Sequence, residues 1–251
     1  MVVLIGLGQL GSVFAHGLLR RGHTVVPINR GDKPEEVARR VPEPELVLIA
    51  VGEGDLAPIL EELPPAFRDA VGLVQNGLLP PDWEAHDLHP TVAVVWFEKK
   101  KNIVPTPILP TLIAGPQAEL LVHALRAVEL PAEVIDEAAL PQALVLKNVY
   151  INVFNLAALA PDIDPAITVG ALWRKHRTLT TALLGEAVAL EAARLGQTID
   201  RATIERGVER AVKADPNHRA RGRRAPARLE QALRFAKEQG LSVPTIEALA
   251  P

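Results

Sequence analysis

Apolar side chains follow two patterns along this chain, and the change falls near residue 137. Before it, short unbroken apolar runs alternate with turn residues and amphipathic stretches. After it, apolar positions recur at helical spacing. The first pattern is that of βαβ units. It predicts strands over 2–5, 24–28, 45–51 (ELVLIAV), 70–74 (AVGLV), 92–97, 111–114 and 132–135. A strand covered on both faces has no polar side to show, so its run reads as continuous. Helices are expected at 12–21 and 117–128, and beyond the change at 141–160, 166–195 and 227–239. Gly196 and Gly240 stand where a helix ends in a left-handed residue.

The first strand runs into Gly6-Leu7-Gly8-Gln9-Leu10-Gly11, a G-x-G-x-x-G at a strand-to-helix turn. In that context the first glycine makes the turn, the second admits a pyrophosphate, and the third lets helix pack on strand. The expected fold class is therefore α/β. An N-terminal Rossmann-type, doubly wound sheet spans 1–137, followed by an all-helical C-terminal domain for substrate and dimer contacts at 138–251. At the tip of the second strand an NAD site usually places an acid, whereas this chain has Asn29 and Arg30. Asn29 does not repel a 2′-phosphate and Arg30 can bind one bidentately, which favours NADP(H). Asp32 is the rival, as a ribose ligand, if the strand ends later.

Composition narrows the function classes. The chain has 251 residues, 48% of them hydrophobic and 23% charged, ordinary for a globular protein. A net charge of −3 offers no field for nucleic acid or an anionic membrane, and with no cysteine neither disulfides nor thiolate metal sites are expected. Neither a basic, cleavable leader nor an apolar run of about 20 residues is seen, so a cytoplasmic location is expected. The long apolar stretch 166–195 can support a homodimer.

Ligands of such sheets bind beyond the carboxyl ends of the strands. Gly52-Glu53-Gly54-Asp55 and Gln75-Asn76-Gly77 fall there. Asn76 reads either as a ligand for nicotinamide or substrate oxygen, or as plain turn chemistry. In the helical half, Lys147 lies in the apolar stretch ALVLKNVYINVFN, where a buried ammonium loses affinity for its proton and becomes a proton donor near neutrality. Asn148, Asn152 and Asn155 form one stripe, with Lys147 about 80° around the axis from Asn155. That arrangement is either a polar cleft or a helix–helix hydrogen-bond network. The loop Asp215-Pro216-Asn217-His218-Arg219-Ala220-Arg221-Gly222-Arg223-Arg224 is either a carboxylate clamp or a solvated surface. Glu186 and Glu191 read as exposed or half-exposed helix residues. The histidines show no metal-ligand spacing.

Taken together, these segments resemble the ketopantoate reductase (2-dehydropantoate 2-reductase) family through nearly the whole chain. GLGQLGSVFAHGLLRRGHTV is similar to its cofactor strand and helix, VQNGL to its strand–Asn-Gly turn, PTLIAGP to the close of its cofactor domain, and ALRFAKEQGLSVPTIEAL to its last helix and turn. The resemblance implies an NADPH-dependent oxidoreductase reducing ketopantoate, a small 2-keto acid, to pantoate in pantothenate biosynthesis. It implies Lys147 as catalytic residue; Asn76, Asn152, Asn155 and, loosely, Asn217 at the substrate; and Gly6 to Gly11, Arg30 and Asn76 at the cofactor, beside the Asn29 already read there, while from the basic loop Arg219 or Arg221 is the expected partner of the substrate carboxylate. The pattern departs at Ile151, where the family has an asparagine, at Arg224, near its glutamate, and at Gly52, often a lysine.

Overall fold

The computed structural model describes residues 1–250. They form two compact units, 1–144 and 145–250. The first holds β1 (Val2–Ile5), α1 (Gln9–Arg20), β2 (Val25–Ile28), α2 (Pro34–Arg40), β3 (Leu46–Ile49), α3 (Leu56–Glu61), β4 (Val71–Leu73), α4 (Pro81–Glu84) and β5 (Thr91–Val94). After these come β6 (Phe97–Glu98), β7 (Thr106–Pro107), β8 (Thr111–Ala114), α5 (Ala118–Ala127) and β9 (Ala132–Val134).

Seven strands make one sheet in the order β2-β1-β3-β4-β5-β8-β9, parallel except where β5 meets β8. β1 lies between β2 and β3, pairing Val2 with both Val25 and Leu46. The VVLI and LVLI runs of β1 and β3 are buried throughout, which is why they carry no alternation. On one face Phe14 and Leu18 of α1 join Leu121 and Leu125 of α5 over Leu4 and Leu48. Gly17 permits that packing, since a Cβ there would sit 2.0 Å from the Ala124 carbonyl oxygen.

Most expected boundaries shift by one to three residues, and two of the shifts change the local structure. α1 begins at Gln9 rather than at 12, so Gly8 is its N-cap and Gly11 lies inside its first turn. The strand expected over 92–97 ends at Val94. Beyond it the Trp96 N–H turns to the Thr111 hydroxyl (3.2 Å) and its carbonyl accepts from Ile108 (2.7 Å). The sheet ladder is broken there, and Phe97–Glu98 pairs instead with Thr106–Pro107.

The second unit is helical. α6 (Leu140–Ala157) runs across the division, followed by α7 (Val169–Lys175), α8 (Arg177–Leu195), α9 (Arg201–Ala214), α10 (Ala225–Gln239) and α11 (Pro244–Glu247). The single helix expected over 166–195 is two, because Thr168 caps α7 and the backbone leaves helical geometry at His176. Arg177 then stacks on the Trp173 ring (3.9 Å) and pairs with Glu205 (2.8 Å) and Glu209 (3.1 Å). α9 lies outside the helices expected from sequence. Its stripe of Ile204, Val208, Ala211 and Val212 was present, but charged residues dominate the segment. Gly196 (φ 64°) and Gly240 (φ 65°) end α8 and α10 in the left-handed conformation, as expected.

Candidate active site

At the carboxyl end of β1 each loop glycine has its own reason. Gly6 has φ 90°, and a Cβ on it would lie 3.0 Å from the Ala50 carbonyl oxygen. One on Gly11 would lie 2.1 Å from the Gly6 carbonyl oxygen, so only glycine lets α1 start so close to the strand it follows. A Cβ on Gly8 would meet nothing within 4 Å. Leu7, Gly8 and Gln9 are exposed and Leu10 is half-buried. The first turn of α1 contains no acid and Gly8 offers no capping side chain, leaving the opening amides directed outward with the positive end of the helix dipole. These features fit the pyrophosphate of a dinucleotide.

The neighbouring strand tips frame that loop. Asn29 and Arg30 are exposed after β2. The Asp32 carboxylate folds back to accept the Asn29 N–H (2.7 Å), closing the turn. Arg30 reaches Asp55 at 3.8 Å, a contact weakened by 97% and 61% side-chain exposure, which leaves its guanidinium able to turn to a phosphate. Asn76 is exposed beside Gly77, whose φ of 83° makes the turn after β4. Sequence reasoning gave no role to Gln75. It is buried, donates from Nε2 to the Ile49 carbonyl (2.8 Å) and accepts the Val74 N–H (3.1 Å), tying the ends of β3 and β4 together. A glutamine directly after an apolar strand run was its only signal.

The helical unit carries the second group of residues. Lys147 is buried on α6, 9% exposed, with Nζ 6.0 Å from the centre of the Tyr150 ring. Burial, and secondarily the charge of Arg228 on α10, lower its pKa to about 7. An ammonium in such surroundings gives up its proton near neutrality. Two expectations require correction. Asn148 does not belong to an open stripe, for it is 2% exposed and donates to Glu191 (3.0 Å). Glu191 is not a surface acid; it is 3% exposed and paired with Arg194 (3.2 Å), because a carboxylate inside a helical layer must be bonded to stay there. Glu186, half-buried, accepts the Thr245 and Ile246 N–H groups at 2.8 Å and so holds the start of α11.

Asn152 and Asn155 are half-buried further along α6. Asn155 donates to the Ala220 carbonyl (3.2 Å), and Gly222 lies so close that a Cβ would sit 2.7 Å from the asparagine oxygen. The loop carrying Asn217 and Arg219 is thereby joined to α6. Its backbone is fixed again at α7, where Val169 and Gly170 donate to the carbonyls of His218 (2.8 Å) and Pro216 (2.9 Å). Those bonds consume amides an anion would otherwise use. The Asn217 and Arg219 side chains are exposed.

No family model and no curated protein matches this sequence. Solved structures do match. A PanE/ApbA family ketopantoate reductase from Ralstonia eutropha JMP134 covers 99% of this chain and 96% of its own, with TM-score 0.69 and 19% identity. The chain has the ketopantoate reductase fold. The dimeric ketopantoate reductase of Staphylococcus aureus shares it at 18% identity (TM-score 0.66, 99% and 95% covered). So does a D-mandelate dehydrogenase solved with NADH and anilino(oxo)acetate, at 12% identity (TM-score 0.67, 99% and 96% covered). Within this ketopantoate reductase fold, no described helix is long and apolar enough to cross a membrane. No described group of His, Cys, Asp or Glu is arranged to hold a metal ion.

Proposed function

We propose that the protein is an NADPH-dependent reductase of a small 2-keto acid, with ketopantoate, reduced to pantoate, the first candidate. The observation that carries this reading is the buried Lys147 amine, poised to release a proton near pH 7 in a chain that also has an open glycine loop. Gly6 to Gly11 hold the pyrophosphate, with Leu7, Gln9 and Leu10 supplying the backbone between the glycines. Asn29 and Arg30 take the adenosine 2′-phosphate, and Asn76 orients the carboxamide or the substrate oxygen. When bound, the dihydronicotinamide supplies the hydride.

Lys147 donates its proton to the carbonyl oxygen as negative charge develops there, the point at which electrostatic stabilisation counts most. Asn152 and Asn155 orient the substrate. Asn217 and Arg219, exposed on the loop before α10, draw in an anion. Assembly as a homodimer, placement in pantothenate biosynthesis and a cytoplasmic location belong to the same proposal.

The test follows NADPH and NADH oxidation with ketopantoate and a panel of other 2-keto acids. Turnover of ketopantoate with NADPH preferred is the expected result. A second reading, a reductase for another 2-keto acid, is favoured by the D-mandelate dehydrogenase of the same fold and by Ile151 and Arg224. It predicts turnover of a different panel member. Tight NADPH binding without oxidation by any keto acid contradicts both readings and leaves a dinucleotide-binding protein.

A further inference from the structure

Deepening the reading of Arg30 as the ligand of the 2′-phosphate, on which it rests, we propose that Asp55 sets the cofactor preference by competing with that phosphate for the guanidinium. The two residues follow strands that flank β1. Ile28 ends β2 and Ile49 ends β3, and both pair with Ile5, so the three chains leave the sheet level with one another around the glycine turn. Arg30 stands two residues beyond Ile28. On the other side of β1 the chain passes Gly6 at the Ala50 carbonyl and then closes a 3₁₀ turn over Glu53–Asp55. In that turn the Asp55 N–H donates to the Gly52 carbonyl (3.0 Å). The carboxylate folds back over it, since a Cβ on Gly52 would lie 3.3 Å from Oδ2 of Asp55. The same Oδ2 meets the Arg30 guanidinium at 3.8 Å.

Other charged groups of the β2 turn are engaged locally. Asp32 accepts the Asn29 N–H (2.7 Å), and Lys33 pairs with Glu36 (3.7 Å). The carboxylate that reaches Arg30 is that of Asp55. Both partners are exposed, so the pair is weak and a phosphate can displace it. Displacement opposes binding in two ways. The ion pair is lost, and the carboxylate is left within about one Debye length of a group carrying roughly two negative charges. NADH has a neutral hydroxyl at that position and disturbs neither. Asp55 accordingly lowers the affinity for NADPH and leaves that for NADH as it is, which narrows the preference that Arg30 alone would give.

The test titrates NADPH and NADH, without substrate, into the wild type, Asp55→Asn, Arg30→Ala and the double variant. Asp55→Asn keeps the side-chain shape at an exposed position, and retained NADH binding confirms that it folds. It should bind NADPH about threefold to tenfold more tightly at low ionic strength, the scale of an exposed ion pair released and a like-charge repulsion removed. NADH affinity should change less than about twofold on the same ground. The gain should shrink as salt rises from about 0.01 M to about 0.5 M, because screening shortens the reach of the charge. With Arg30→Ala in place, Asp55→Asn should gain less than about twofold, since the group competed for is gone. Unchanged NADPH affinity in Asp55→Asn overturns the proposal. So does an equal gain for NADH, or a gain that persists in full in the double variant. Arg30→Ala weakening NADPH and NADH alike instead overturns the reading of Arg30 on which the proposal rests.

Discussion

A single amine carries the chemistry proposed for this fold, and its environment makes it measurable. Lys147 holds its proton in the unfolded chain up to about 10.5 and in the folded protein only to about 7. Between those values the unfolded state binds more protons, so this group makes stability rise with pH across that window. Below about 7 both states are protonated and the full penalty of burying the charge applies. Lys147→Met is therefore expected to melt at a higher temperature than the wild type at about pH 6.5. The difference should shrink as the pH is raised towards the upper end of the window. A melting series over pH checks this.

Lys147→Ala should lower kcat by roughly 10²-fold or more while leaving NADPH affinity intact, the scale expected for loss of a general acid. Arg30 is tested by cofactor choice. Arg30→Ala should weaken NADPH binding by about tenfold or more and leave NADH nearly unchanged, since a charged hydrogen bond contributes on the order of 1.5–3 kcal/mol. Titrations with both cofactors measure it, and equal losses contradict the 2′-phosphate role.

Among the elements, the glycine loop and α6 show what sequence can and cannot convey. The strand-to-helix context of Gly6, Gly8 and Gly11 was legible because backbone sterics leave few alternatives. The structure confirms separate reasons at Gly6 and Gly11. A pair of variants separates folding from binding. Gly11→Ala forces a Cβ onto a carbonyl oxygen and should destabilise the protein by at least about 1–3 kcal/mol, the range for overpacking. Gly8→Ala adds a methyl to open space, so melting should be unaffected while NADPH affinity drops.

On α6 the polar positions were legible but their partners were not. Helical spacing put Asn148 with Asn152 and Asn155, yet Asn148 turns to Glu191 on α8, a residue 43 positions away. Only packing brings those two together, and no local pattern encodes it. Removing the acid takes away the acceptor that the buried Asn148 amide uses. Glu191→Ala should accordingly destabilise by about 1–3 kcal/mol, the range for a buried hydrogen-bonding group that loses its partner, as read from thermal or urea unfolding. The same reasoning accounts for α9, whose stripe was obscured by arginines, and for the break at His176, which depends on Arg177 reaching Trp173 and α9.

For the whole molecule, the architecture was the most legible part. A run of buried strands followed by helices specified an α/β sheet and a helical unit, and solved ketopantoate reductases share that fold at identities of 18–19%. Fold survives at such identity because apolar periodicity and loop glycines constrain it more than particular side chains do. Substrate choice rests on a few side chains that such periodicity does not constrain, and Ile151 and Arg224 are where the sequence departs from the pattern it otherwise resembles.

The central claim is that the buried amine of Lys147 is the proton donor in keto-acid reduction. The pH dependence of kcat for NADPH oxidation by the accepted 2-keto acid tests it most directly. A descending limb is expected, with the rate falling about tenfold per pH unit above the pKa of the substrate-bound amine. In Lys147→Arg that limb should disappear, because a guanidinium stays charged across the range. A wild-type profile that stays flat to about pH 10, or an unchanged limb in Lys147→Arg, would contradict it.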